Sequence, residues 1–222
     1  CYACKEEFKR LHFFYDALCP LCAELNYAKR FQKAPLEGKT ALITGARLKI
    51  GYQASLMMLR SGARVIATTR FPRDAAKRYA READFAEWSS RLQVHGLDLR
   101  HAPSVEIFAR YLDRTLDRLD ILVNNAAQTV RRPSGFYNHL LEDETLPAEK
   151  LPENVRALLQ SHDRCINALQ AHPAAQRTAG EDVTGLAVWH GGEAGIGLKA
   201  SAALSQLRHT HDDALSGGDV FP

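Results

Sequence analysis

The chain lacks several features, and each absence excludes something. Its 222 residues hold no apolar run approaching the ~20 residues a membrane-spanning helix needs. No basic-then-apolar leader opens it, so nothing marks it for secretion. Neither sign of charge dominates: 29 Lys and Arg against 26 Asp and Glu leave a net +3. So small a surplus argues against nucleic acid or an anionic membrane as partner. Cysteine is almost confined to one end, at Cys1, Cys4, Cys19 and Cys22, with Cys165 alone elsewhere. There is no initiator methionine, from which a processed or trimmed N-terminus is expected. The remainder is ordinary globular material, 45% hydrophobic and 25% charged. A chain of this size should bury roughly 70–75% of its unfolded surface.

Three segments differ in texture: a Cys- and aromatic-rich stretch at 1–34, a regular middle at 36–133, and an Ala-, His- and Gly-rich stretch at 134–222. In the middle, short apolar runs alternate with helical patterns. Strands are expected at Thr40–Thr44, Arg64–Thr69, Leu92–Leu97 and Leu119–Asn124. Helices are expected at Tyr52–Ser61, Asp74–Ser89 and Ser104–Leu119. Such alternation implies an α/β fold, a parallel sheet with helices on both faces. In the last segment a helix is expected over Leu151–Gln170, a short strand over Gly185–Trp189 and an Ala-rich helix over Gly195–Leu207. Arg208–Pro222 has little to bury and is expected to be poorly ordered.

The four N-terminal cysteines are spaced C-x2-C-x14-C-x2-C. Two thiolates on one tight turn can face one metal ion, and two such turns complete a tetrahedron around zinc. A small zinc knuckle at 1–34, holding structural Zn2+ through Cys1, Cys4, Cys19 and Cys22, is the preferred reading. Two disulfides or four structural thiols are the alternatives. Disulfides need an oxidising compartment, and the absence of a leader points to the cytoplasm. Four thiolates leave no open position, so a catalytic metal is not expected.

Thr44-Gly-Ala-Arg-Leu-Lys-Ile-Gly51 stands between the first expected strand and the first expected helix. A pyrophosphate placed there would meet free N–H groups and the positive end of the helix dipole. The acidic residue that binds ribose hydroxyls should follow ~20 positions on, at the end of the second strand. That place reads Thr68-Thr69-Arg70, with no carboxylate. Arg70, aided by Arg47, could pair with a 2′-phosphate instead, favouring NADP(H) over NAD(H).

The turn Thr44-Gly45…Ile50-Gly51, then Asp98-Leu99, then Asn124-Asn125-Ala126-Ala127, in this order at strand ends, resembles the short-chain dehydrogenase/reductase family over about 36–133. The resemblance implies a Rossmann-type doubly wound parallel sheet, a nicotinamide cofactor and hydride transfer to or from a small-molecule carbonyl or alcohol. It also implies a homo-oligomer for the full-length protein. By the same resemblance Gly45, Ile50 and Gly51 would lie by the pyrophosphate, where Lys49 could offer charge; Thr69 and Arg70, from their place at the end of the second strand, would lie by the adenosine ribose. Asp98 and Leu99 would contact the adenine, and Asn124 and Ala126 would border the cofactor.

Three departures stand out. Lys49 replaces the family's middle glycine. None of the seven tyrosines has a lysine four residues later, so the family's catalytic Tyr-x-x-x-Lys is absent from the chain. Residues 134–222 read as an insertion. Truncation before a catalytic half is the expected explanation, and a non-catalytic zinc- and nucleotide-binding module that docks a partner is the alternative. Zinc-dependent nucleic-acid binding is a third and weaker reading. Gly191–Gly197 does not match the dinucleotide fingerprint and reads as a connection, and the scattered histidines show no metal-ligand spacing.

Overall fold

The computed structural model describes residues 1–127, 132, 134–171 and 195–204. They fall into two compact units, Cys1–Pro35 and Leu36–Pro222.

The first unit is two cysteine turns and one helix, α1 (Pro20–Lys29). Cys19 is its N-cap in extended conformation, and Pro20 at the first position gives up an N–H that the helix could not have paired. The sequence led to a compact turn here, and the structure continues that turn into a helix carrying Cys22. Ala23 is the one buried residue of the unit. Around it runs a chain of rings in which Tyr27 meets Phe13, Phe14 and Phe31 at centroid distances of 4.8, 5.6 and 5.2 Å.

The second unit is built on β1 (Thr40–Thr44), β2 (Arg64–Thr69), β3 (Leu92–Gly96) and β4 (Ile121–Val123). All pair in parallel, in the order β3-β2-β1-β4. β1 and β2 match their expected limits because both are buried on both faces, the pattern of a central parallel strand. Alternate residues then serve opposite layers. Ala41, Ile43, Val65, Ala67 and Val94 pack on one side under α2 (Lys49–Arg60), α3 (Pro72–Tyr79) and α4 (Phe85–Trp88). Ile66 and Leu97 pack on the other under α5 (Ala102–Thr115).

The expected long helix over Asp74–Ser89 is in fact α3 and α4 with a turn between. The break lets Glu82 and Asp84 reach Arg60, with contacts of 3.1 and 2.6 Å. It also lets Tyr79 and Trp88 enter the same core layer. The last segment supplies α6 (Asn138–Thr145) and α7 (Glu153–Ala171). α7 packs on the edge strand β3 and gives Val155 and Leu158 to one layer and Cys165 to the other. α7 thus covers the β3 edge of the sheet, whereas Leu122 of β4 is 55% exposed. The expected Ala-rich helix appears as two short ones, Ile196–Lys199 and Ser201–Leu204. The expected strand over Gly185–Trp189 and the tail over Arg208–Pro222 lie outside the described residues. No helix among those described is long and apolar enough to cross a membrane.

Candidate functional site

At the carboxyl end of β1 the chain leaves the sheet through Gly45, whose φ of +66° favours glycine. A Cβ on Gly45 would come within 2.9 Å of Ala126 Cα, and one on Gly51 within 2.5 Å of Gly45 O. These two glycines let the β1 and β4 ends and the start of α2 close on one another. Asn125 ties them: its Nδ2 donates to Thr44 O at 3.0 Å and Gly45 O at 3.2 Å. Thr44 Oγ1 accepts from Asn125 N and Ala126 N, both at 3.0 Å. The start of α2 carries no side-chain cap and no acid in its first turn, so it presents unneutralised N–H groups. Lys49 takes a φ of 54°, the left-handed conformation for which a glycine would be at ease.

This turn forms one wall of a cleft of about 530 Å³ that runs past the ends of β2 and β3. Among the expected residues, Gly45, Arg47, Lys49, Thr69, Arg70, Asp98, Leu99 and Ala126 line it. Ile50 points away and is 76% exposed, Gly51 lies beneath the turn, and Asn124 is exposed outside the lining. Sequence reasoning missed Asn125, which does the tying, and Phe71, Arg100 and Tyr137, which also line the cleft. The doubled Asn124-Asn125 was the only signal for the first.

Four cations face this cleft, and two are neutralised. Arg47 Nη1 lies 2.8 Å from Asp74 Oδ2, which Arg78 also grips at 2.7 Å. Burial pushes the Asp74 carboxyl up, but the two guanidiniums outweigh it and hold it below the usual carboxylate range. Arg100 meets the buried Asp98 with Nη2 to Oδ2 at 2.5 Å. No carboxylate pairs with Lys49 or Arg70 among the described residues. Arg70 instead donates to Tyr137 OH at 3.1 Å.

In the first unit the four cysteine sulfurs all lie within 4.8 Å of one another, and none is in a disulfide. Cys4 Sγ and Cys19 Sγ are 3.7 Å apart. A zinc ion with ~2.3 Å bonds in a tetrahedron sets its sulfurs ~3.8 Å apart, so the donors fit that ion. Hydrogen bonding to Cys19 and then Cys4 pushes the Cys22 thiol up to about 11. His12 is not of this group. Its Nδ1 accepts from Phe14 N at 3.1 Å and Tyr15 N at 3.3 Å, which makes it a turn-former.

The sequence model of the short chain dehydrogenase family matches residues 39–150. An uncharacterized protein of Acanthamoeba polyphaga mimivirus is 36% identical over 161 residues, 70% of this chain and 34% of that protein. Retinol dehydrogenase 13 of Mus musculus is 36% identical over 95 residues, 43% of this chain and 28% of the enzyme. Among solved structures, a short-chain alcohol dehydrogenase from Sinorhizobium meliloti, described as putative in its own title, aligns with a TM-score of 0.36 and 27% identity, covering 64% of this chain and 49% of that one. The chain thus spans about a third of the length of the curated relatives it matches. With a parallel sheet, a glycine turn at β1 and the Asn-Asn-Ala end of β4 inside the matched span, the chain belongs to the short-chain dehydrogenase family.

Proposed function

We propose that this chain is the cofactor-binding part of an NADP(H)-preferring oxidoreductase that acts on a carbonyl or an alcohol. The observation that carries the reading is the uncapped start of α2, packed through Gly45 and Gly51, opening on a cleft in which Arg70 has no carboxylate partner among the described residues. The family's cofactor supplies the hydride donor or acceptor. The chain's own residues bind and orient it. The first turn of α2 and Lys49 would meet the pyrophosphate, Arg70 the 2′-phosphate, and Leu99 the adenine face. Asp98, locked on Arg100, would shape the adenine end rather than offer a free carboxylate. Arg47 is occupied by Asp74, so its part in phosphate binding would be secondary.

Proton transfer in such a reaction needs an acid or base beside the carbonyl. The Tyr-x-x-x-Lys that serves this in the family is absent from these 222 residues. In a second reading the bound dinucleotide is sensed rather than turned over. In both readings the four cysteines would hold one Zn2+ in a closed, purely structural site.

The test is a fluorescence titration with NADPH and NADH. Saturable NADPH binding, with NADH weaker by about tenfold for one lost charge-assisted contact, supports the reading. In Gly45→Val the binding should vanish, because the new side chain would drive into Ala126. A folded chain that binds neither nucleotide would overturn it. Transfer of labelled hydride from NADPH to a carbonyl acceptor, assayed on the full-length protein, separates the enzyme from the sensor.

A further inference from the structure

Arg70 is the cation of this cleft that a tyrosine, not a carboxylate, holds in place. Tyr137 enters from the 134–145 stretch, 67 residues along the chain, and is buried. Its ring lies 4.9 Å from the Arg70 guanidinium carbon, and the Phe71 ring lies 5.7 Å from it. The two rings stand 5.0 Å apart at 37°. Ser201 Oγ donates to Arg70 O at 2.9 Å and fixes the backbone beneath. The guanidinium therefore has little freedom to turn.

The donor inventory of this corner is lopsided. Tyr137 OH accepts from Arg70 Nη2, and among the described residues its own proton is given to no acceptor. Arg70 has further N–H groups beyond the one spent on Tyr137. Fixed N–H donors and an O–H donor at one point, with no anion to receive them, suit a ligand with several acceptor oxygens and negative charge. Phe71 and Tyr137 exclude water from the back of the guanidinium, which strengthens its attraction for such a group.

We propose that Arg70 and Tyr137 form a phosphate-monoester subsite at the adenosine end of the cleft, with Tyr137 as its specificity-determining residue. The hydroxyl donates to the phosphate and holds Arg70 in the orientation that receives it. This rests on the dinucleotide reading above and adds to it a residue from outside the β2 end, supplied by the 134–145 stretch.

The experiment is calorimetric titration of the chain with adenosine 2′,5′-bisphosphate and with adenosine 5′-monophosphate, for the native sequence and for Tyr137→Phe. The native chain should prefer the bisphosphate by at least about tenfold. Tyr137→Phe keeps the ring and removes the hydroxyl. It should lose about tenfold in bisphosphate affinity while the monophosphate affinity stays unchanged, with circular dichroism confirming the fold. An equal loss for both ligands, or no loss for either, overturns the proposal. So does tighter binding of both, which would make Tyr137 a plug in the adenine position. If the native chain binds the monophosphate and gains nothing from the second phosphate, the subsite alone fails. If it binds neither, the dinucleotide reading fails with it.

Discussion

The two units hold themselves together in different ways. Leu36 onwards has a sheet buried on both faces, with Ile43, Leu59, Val65 and Ile66 fully enclosed. Cys1–Pro35 buries Ala23 alone, and leaves Phe13 and Leu21 77% and 85% exposed. A unit of that size has too little apolar burial to offset the entropy of ordering its backbone. Its four sulfurs converge on one point, where a metal ion would replace the missing core. The sheet unit depends on apolar area, and the cysteine unit on a donor set.

The sharpest way to break the comparison is to disable the cysteine cluster. Chelation, or Cys4→Ser, should unfold the cysteine unit and leave the melting of the sheet unit unchanged, as read by proteolysis of the 1–35 segment beside calorimetry. Equal loss in both units would contradict the division. The converse experiment is Leu59→Ala, which should cost the sheet unit about 3 kcal/mol by the cavity it opens, and leave zinc binding unchanged.

A third test uses acid. His95 is fully enclosed, neither of its ring nitrogens has a hydrogen-bond partner among the described residues, and His162 lies against it at a centroid distance of 5.8 Å. Burial, then the charges of His162 and Arg164, push His95 down to about 3, and burial and Arg73 push His162 down to about 4. The fold thus favours neutral rings, while the unfolded chain titrates near 6.5. Their contribution is complete above that pH and is lost as the pH falls toward 4 and 3. Burial raises Glu144 to about 7, which works in the opposite direction, so the comparison is with a variant: between pH 7 and 5 the urea midpoint of the native chain should fall relative to that of His95→Leu. A difference between the two that does not change with pH would contradict the burial argument.

The smallest effect concerns the turn. Lys49→Gly should relieve the left-handed strain and raise stability by up to about 1 kcal/mol in urea unfolding. A loss of that size would mean the lysine side chain makes up for its backbone.

The architecture was legible where one strong pattern met one local cause. Thr40–Thr44 and Arg64–Thr69 are apolar runs closed by turn residues, and the four cysteines carry their geometry in their spacing. The α3–α4 break was hidden because the pull on Glu82 and Asp84 comes from Arg60, on another helix. Asn125 rather than Asn124 ties the turn because, just past the end of β4, it is Asn125 whose amide reaches the Thr44 and Gly45 carbonyls, and a doubled asparagine does not say which of the two will. Tyr137 was invisible for a plainer reason: nothing local to it points to Arg70, and only the return of the 134–145 stretch to the β2 end brings them together.

On the function proposed above, the chain carries two separate loads, a zinc ion on the cysteines and a dinucleotide on the sheet. Native mass spectrometry in the presence of NADP(H) tests it most directly. The account predicts one zinc and one NADP(H) per chain, with chelation removing the zinc and leaving the nucleotide bound, since every residue lining the cleft belongs to the sheet unit. A chain that carries no nucleotide, or that loses it together with the zinc, would contradict the account.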